Sequence, residues 1–175
     1  MHQDVYRVLF VGRENAARSL MAEALLRDLS GGRFEAFSAG VDPAGAIDPL
    51  AVRTLELAQI PTDGLRVKQI GEYLNGGGMN IDFVIVVSDR VGADDLPPFP
   101  GNPMVVNWGT DDPRAADGTE PERQVVYGRA LRQLRNRIEV FANLSIERLD
   151  RLVLQAKLDV LGDVRPPTRK DYPAS

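Results

Sequence analysis

The chain has no cysteine and a single histidine, His2, among its 175 residues. Without thiols it can form no disulfide, no thiolate metal site, no cysteine nucleophile and no redox relay of its own. With its one histidine at position 2, Ser-His and Cys-His pairs are excluded and a histidine metal site is not expected. Aromatic residues are sparse at 6%, yet 43% of the chain is hydrophobic and 26% charged, which argues against disorder. Positive charge is in slight deficit, 21 Lys and Arg against 25 Asp and Glu, so the basic footprint of a general nucleic-acid binder is missing. No apolar run approaches the ~20 residues of a membrane span. Met1-His2-Gln3-Asp4 opens no signal peptide, so the expected location is the cytosol, with no membrane partner. The length suits one domain with a real core.

What is present alternates between two kinds of segment. Val5–Val11 and Ile81–Val87 are short, nearly continuous apolar runs, as expected of strands buried on both faces of a parallel sheet. Phe34–Ser38 and Met104–Trp108 read as further strands. Ser19–Leu29 has helical spacing, and Asp48-Pro49 starts a second helix, with aspartate as cap and proline in the first turn. Lys68–Leu74 reads as a short helix, Asn75–Gly78 as a loop tip and Asp111–Gly118 as a polar loop. Thr119 and Glu122 form a capping box, followed by Tyr127, Leu131, Leu134, Ile138 and Phe141 on one helical stripe. The pattern predicts an α/β domain over 1–143, a helical extension over 144–164 and a tail over 165–175.

In such a fold ligands sit at the carboxyl ends of the strands. The first strand-to-helix turn is Gly12-Arg13-Glu14-Asn15-Ala16-Ala17-Arg18-Ser19. Free backbone N–H groups at a helix start favour anions, and glycine and asparagine let the loop curl into a nest. Arg18 adds a planar fork that grips two oxygens of an oxyanion. The plain alternative is an ordinary turn with Arg18 in a surface ion pair. The same choice applies to other polar residues. Ser88 reads as a hydrogen-bonded strand end, Asp94-Asp95 as solvated carboxylates, and Trp108 as core or a cleft wall.

The run Val8-Leu9-Phe10-Val11-x-x-x-Asn15-x-x-Arg18-Ser19-x-Met21-Ala22-Glu23-Ala24 resembles the phosphate loop of the low-molecular-weight protein tyrosine phosphatase superfamily, and is most similar to the bacterial arsenate reductases of that fold. Ser38-Ala39-Gly40, Asp48-Pro49-Leu50-Ala51, Gly64-Leu65-Arg66-x-Lys68, Asp82-Phe83-Val84, Pro100-Gly101, Trp108 and Asp112-Pro113 match in the same order. The resemblance spans about residues 5 to 142. It implies a three-layer α/β/α fold with a four-stranded, mainly parallel sheet. It also implies a C-x5-R loop whose cysteine attacks phosphorus or arsenic, an arginine that holds the oxygens, and an aspartate that protonates the leaving group. By position the arginine is Arg18 and the acid is Asp112, but the cysteine position is Gly12. The further thiols of the reductases correspond to Ser88 and Leu96, and Asn107 stands where relatives often carry histidine.

Glycine cannot form a covalent intermediate, so the family's two-step mechanism has no nucleophile here. The expected function is a catalytically inactive relative that binds phosphate, arsenate or a phosphorylated ligand at residues 12–19, with no cofactor. Two readings stand beside it. One is an arsenate reductase or phosphatase working by a non-cysteine route or with a partner's thiol. The other is a dimerising scaffold whose loop is empty. The extension bears on the last, because Leu149, Val153, Ala156 and Val160 make one apolar stripe and Leu154, Leu158 and Leu161 another. The extension either folds back on the domain or offers an interface for a homodimer or protein partner through 145–161.

Overall fold

The computed structural model describes residues 4–74 and 80–163; His2, the Asn75–Gly78 loop tip and the 165–175 tail lie outside the described residues. Strands β1 (Tyr6–Gly12), β2 (Phe34–Gly40), β3 (Phe83–Ser88) and β4 (Met104–Thr110) form one sheet in the order β2-β1-β3-β4. Every pairing is parallel, so all carboxyl ends lie along one edge, with Gly12 opposite Gly40 and Ser88 opposite Thr110. The fold is therefore α/β around a four-stranded parallel sheet.

Alternation along the central strands builds two cores. Val8, Phe10, Phe83, Ile85 and Val87 face one way, and Leu9, Val11, Val84 and Val86 the other. Helices α1 (Arg18–Leu29), α2 (Pro49–Leu57), α3 (Glu120–Ala142) and α4 (Arg151–Asp163) contribute to the first core. The second face is covered by a thinner layer, including Ile70 of a 3-10 turn (Ile70–Tyr73), Ile81 and Val91. The expected helix over Lys68–Leu74 is thus a single tight turn, which Gln69 caps through Gly71 N–H. Helix α1 is buried from Arg18 to Leu26 because β1, β2 and α3 surround it. The predicted stripe of α3 is the buried one, from Tyr127 to Phe141, and Thr119 caps it by accepting from Glu122 N–H.

The extension is not one continuous helix from Ser145. It opens with a 3-10 turn (Ile146–Arg148) and resumes as α4 at Arg151. Helix α4 closes the open edge of β4. Leu154 and Leu158 join the main core, and the Trp108 indole N–H donates to Leu158 C=O at 3.0 Å. The Gln155 amide donates to Val105 C=O at 3.1 Å, which covers an unpaired strand edge. At Gly162 the helix end lies so near β4 that a Cβ would come 2.3 Å from Asn107 C=O. Trp108 is therefore core, packed edge-on against Phe141. Of the other stripe, Leu149 packs against the main core, while Val153, Ala156 and Val160 stay outside beside the exposed Leu152. Among the described residues no helix is long and apolar enough to cross a membrane.

Candidate functional site

The loop between β1 and α1 is held by its carbonyls. Those of Gly12, Arg13, Glu14 and Ala16 accept from the N–H groups of Val41, Asp42, Ala44 and Asp48, at 2.8–3.2 Å. Segment 41–48 thus straps the outside of the loop. The loop's own N–H groups are spent differently. Among the described residues none of those from Arg13 to Arg18 has an acceptor, although Asn15 to Arg18 are buried. Buried N–H groups without acceptors call for water or an anion. The curl turns at Asn15, whose φ is +52°, a conformation asparagine tolerates.

Asn15 is fixed on three sides. Its side-chain N–H₂ donates to Ser19 Oγ at 2.8 Å and Ser38 Oγ at 3.0 Å, and its Oδ1 accepts from Lys68 N–H at 2.8 Å. Gly40 lies directly beneath, where a Cβ would stand 2.9 Å from the Glu14 carbonyl carbon. This close approach explains the glycine of Ser38-Ala39-Gly40.

Under the loop lies a buried ion pair. Lys68 Nζ is 3.4 Å from Glu23 Oε1 and donates to Arg66 C=O at 2.7 Å. Both side chains are nearly inaccessible, at 5% and 3% exposure. Burial raises the Glu23 carboxyl above its ordinary range and lowers the Lys68 ammonium below its own, each partly offset by attraction to the other.

Arg18, the first residue of α1, is buried at 7% exposure rather than in a surface ion pair. Its guanidinium donates to Asp89 at 3.0 Å, Ser88 Oγ at 3.3 Å and Thr110 C=O, and lies 3.5 Å from Asp112. Asp112 starts a 3-10 turn (Pro113–Ala115), accepting from Arg114 N–H at 3.0 Å. The structure therefore brings Gly12 to Ser19 and Asp112 together. Arg13 and Glu14 have different partners. Arg13 pairs with Asp95 at 3.5 Å, and Glu14 with Arg114. Asp95 is thus a partner of the loop rather than simply solvated. Ser88 is the buried strand-end hydroxyl expected, accepting also from Arg90 N–H.

Gly12 is closely packed on its Ser19 side. A Cβ there would meet Ser19 Oγ at 3.1 Å. The cavity inside the loop is about 20 Å³, and beside it opens a cleft of about 570 Å³. Arg90, Arg114 and Arg123 line that cleft with Asp48, whose carboxylate is bound by the Tyr127 hydroxyl. Burial, then the Asp48 contact, pushes the Tyr127 hydroxyl above its ordinary range. Sequence reasoning missed Asp89, Arg90, Arg114 and Arg123. The signal for the first two was their place just past the carboxyl end of a strand. Among the described residues no group of His, Asp and Glu is arranged for a metal.

Known proteins place this geometry in a family. The chain is 30% identical to the arsenate reductase of Halalkalibacterium halodurans over 135 residues, 77% of this chain and 94% of that one. It is 28% identical to the arsenate reductase of Bacillus subtilis over the same shares. Among solved structures, an arsenate reductase from Archaeoglobus fulgidus superposes with a TM-score of 0.62 at 26% identity, over 78% of this chain and 99% of that one. A low molecular weight protein tyrosine phosphatase from T. tengcongensis gives 0.64 at 25% identity, over 82% and 99%. The sequence model of the low molecular weight phosphotyrosine protein phosphatase family matches residues 7–99, and the chain, with no cysteine in it, belongs to that family.

Proposed function

We propose that this protein is a static receptor for a tetrahedral oxyanion (phosphate, arsenate or the phosphoryl group of a larger ligand) and does not perform the covalent chemistry of its family. The observation that carries the reading is the division of the loop's backbone. Its carbonyls are bound to segment 41–48, while the buried N–H groups from Asn15 to Arg18 lack acceptors. Six N–H groups without acceptors, from Arg13 to Arg18, a helix N-terminus and one buried guanidinium belong to a loop that holds no thiolate and lines one small cavity. A thiolate 3–4 Å from a bound dianion would repel it by about 1–4 kcal/mol, depending on local dielectric. Gly12 removes that repulsion together with the nucleophile.

Thermal unfolding of the wild type and Arg18→Ala with phosphate, arsenate and sulfate at matched ionic strength tests this. A ligand at 100 times its dissociation constant adds about 2.7 kcal/mol. That is a rise of roughly 5–10 °C for a domain of this size. The expected rise depends on Arg18. A rise that survives Arg18→Ala puts the anion elsewhere, and no rise rejects the reading. Turnover of an aryl phosphate by the wild type would favour the enzymatic alternative.

A second reading rests on the exposed Leu152, Val153 and Val160 of α4. Self-association through that stripe would leave the loop untouched. Leu152→Glu with Val160→Glu would then turn a dimer into a monomer in sedimentation, and a monomeric wild type removes this reading.

A further inference from the structure

We propose that the ligand of the Gly12–Ser19 loop is a small organic phosphate bearing a second anionic group, which Arg90 and Arg123 hold in the adjoining cleft. The inference rests on the oxyanion reading above. The cavity inside the loop and the cleft share Glu14, Ala16, Arg90, Asp112 and Arg114, so one ligand can extend from loop to cleft.

Charge in the cleft is unevenly spent. Its three carboxylates all have partners. Glu14 pairs with Arg114, and Asp112 holds Arg18 and Arg114 N–H. Asp48 accepts from the Tyr127 hydroxyl and Leu50 N–H and lies 3.8 Å from Arg114. Arg114 is thereby shared between two acids. Arg90 and Arg123 line the same cleft and form no ion pair among the described residues. Two arginines without an ion pair thus line a cleft whose three acids each already have a partner.

The body of the ligand is constrained as well. Ile47, Pro49 and three alanines supply the apolar lining, and among the described residues no aromatic side chain lines the cleft. An aryl ring has nothing to stack on, so an aryl phosphate gains little beyond its phosphoryl group. A second carboxylate or phosphate gains charge-assisted, fork-like hydrogen bonds from guanidinium.

Calorimetric titration of the full chain at fixed ionic strength with inorganic phosphate, glycerol 3-phosphate, 3-phosphoglycerate and phenyl phosphate tests the inference. Glycerol 3-phosphate and 3-phosphoglycerate share a three-carbon body and differ by a carboxylate. The expected result is roughly tenfold tighter binding of 3-phosphoglycerate than of glycerol 3-phosphate, about one decade of affinity for one charge-assisted contact. That ratio falls to near one in Arg90→Gln/Arg123→Gln, whose melting temperature confirms that it is folded. A wild-type ratio near one, phenyl phosphate as the tightest probe, or a ratio that survives the double variant overturns the proposal. Inorganic phosphate that fails to bind the wild type overturns the oxyanion reading, and this inference with it. Phosphate that binds through Arg18 while the ratio stays at one overturns the second anionic group alone.

Discussion

One guanidinium nitrogen of Arg18 binds Asp89 at 3.0 Å while the other lies 3.5 Å from Asp112. The arginine that an oxyanion would use is therefore already held by two carboxylates of the same chain. A buried guanidinium must be paired, and these groups pair it. On the proposed oxyanion reading a dianion competes with them, and Asp89, half-exposed, is the partner that can swing into water.

Asp89→Asn removes the competing charge and keeps a hydrogen-bonding group. A partly exposed ion pair is worth about 0.2–1 kcal/mol, so phosphate should bind up to about fivefold more tightly to the variant. Calorimetric titration at low and high salt measures this. Weaker binding in Asp89→Asn would show that Asp89 orients Arg18 for the anion instead of competing for it.

Gly12→Cys returns the thiol to the position the family uses. A Cβ there needs only Ser19 Oγ, 3.1 Å away, to give by a few tenths of an ångström, and Gly12 does not sit at positive φ. The free N–H groups and Arg18 should stabilise the thiolate, lowering its pKa below the ~8.5 of free cysteine. Thiolate absorbance followed against pH reads the shift directly. The same variant should bind phosphate more weakly than the wild type, through thiolate repulsion. A thiol titrating near its free value would mean that the loop carries no positive field.

Gly40→Ala tests the support under the loop. Its Cβ would stand 2.9 Å from the Glu14 carbonyl carbon and 3.0 Å from Asn15 N, and both are backbone atoms that no rotamer change can clear. Displacing the loop should lower stability by about 1–3 kcal/mol and abolish the phosphate-dependent rise in melting temperature. Retention of that rise would show that Asn15 and its partners hold the loop without contact at Gly40.

How far the sequence exposes this architecture depends on whether a feature is local. Both-face-buried strands, the Asp48 and Thr119 caps and the stripe from Tyr127 to Phe141 are written in spacing, and the structure has them. The loop from Gly12 to Ser19 is legible for the same reason, since a strand, a turn and a helix start are contiguous. Asp89, Arg114 and Arg123 are not, because they reach the site from three separate segments and look like ordinary surface charges one at a time. The extension was half legible. Two stripes were visible, but only the packing of Leu158 and Gly162 against Trp108 and Asn107 decides which one turns inward. That packing reaches the loop, for Arg137 donates to Gly162 C=O and Thr110 Oγ1, and Thr110 C=O accepts from Arg18.

The Glu23–Lys68 pair beneath the loop sets a pH dependence whose sign follows from burial. Glu23 titrates above its ordinary 4.5 in the folded chain, so the native state holds that proton to higher pH than the unfolded state. Its contribution to stability is full below pH 4.5 and is lost as pH rises through the raised value. Lys68 runs the other way, because its folded pKa lies below the ordinary 10.5. Its contribution is full above pH 10.5 and is lost as pH falls through the lowered value. The two slopes have opposite signs, so the pH-linked contribution of the pair falls as pH rises from 4.5 and recovers as pH approaches 10.5. Glu23→Gln/Lys68→Met removes both slopes, so wild type minus double variant, read as melting temperature, should fall as pH rises above 4.5. Either single variant leaves a buried charge without its partner and should lose about 3–5 kcal/mol near neutrality, more than the double variant loses. A double variant as unstable as the sum of the singles would mean that Glu23 and Lys68 serve separate partners.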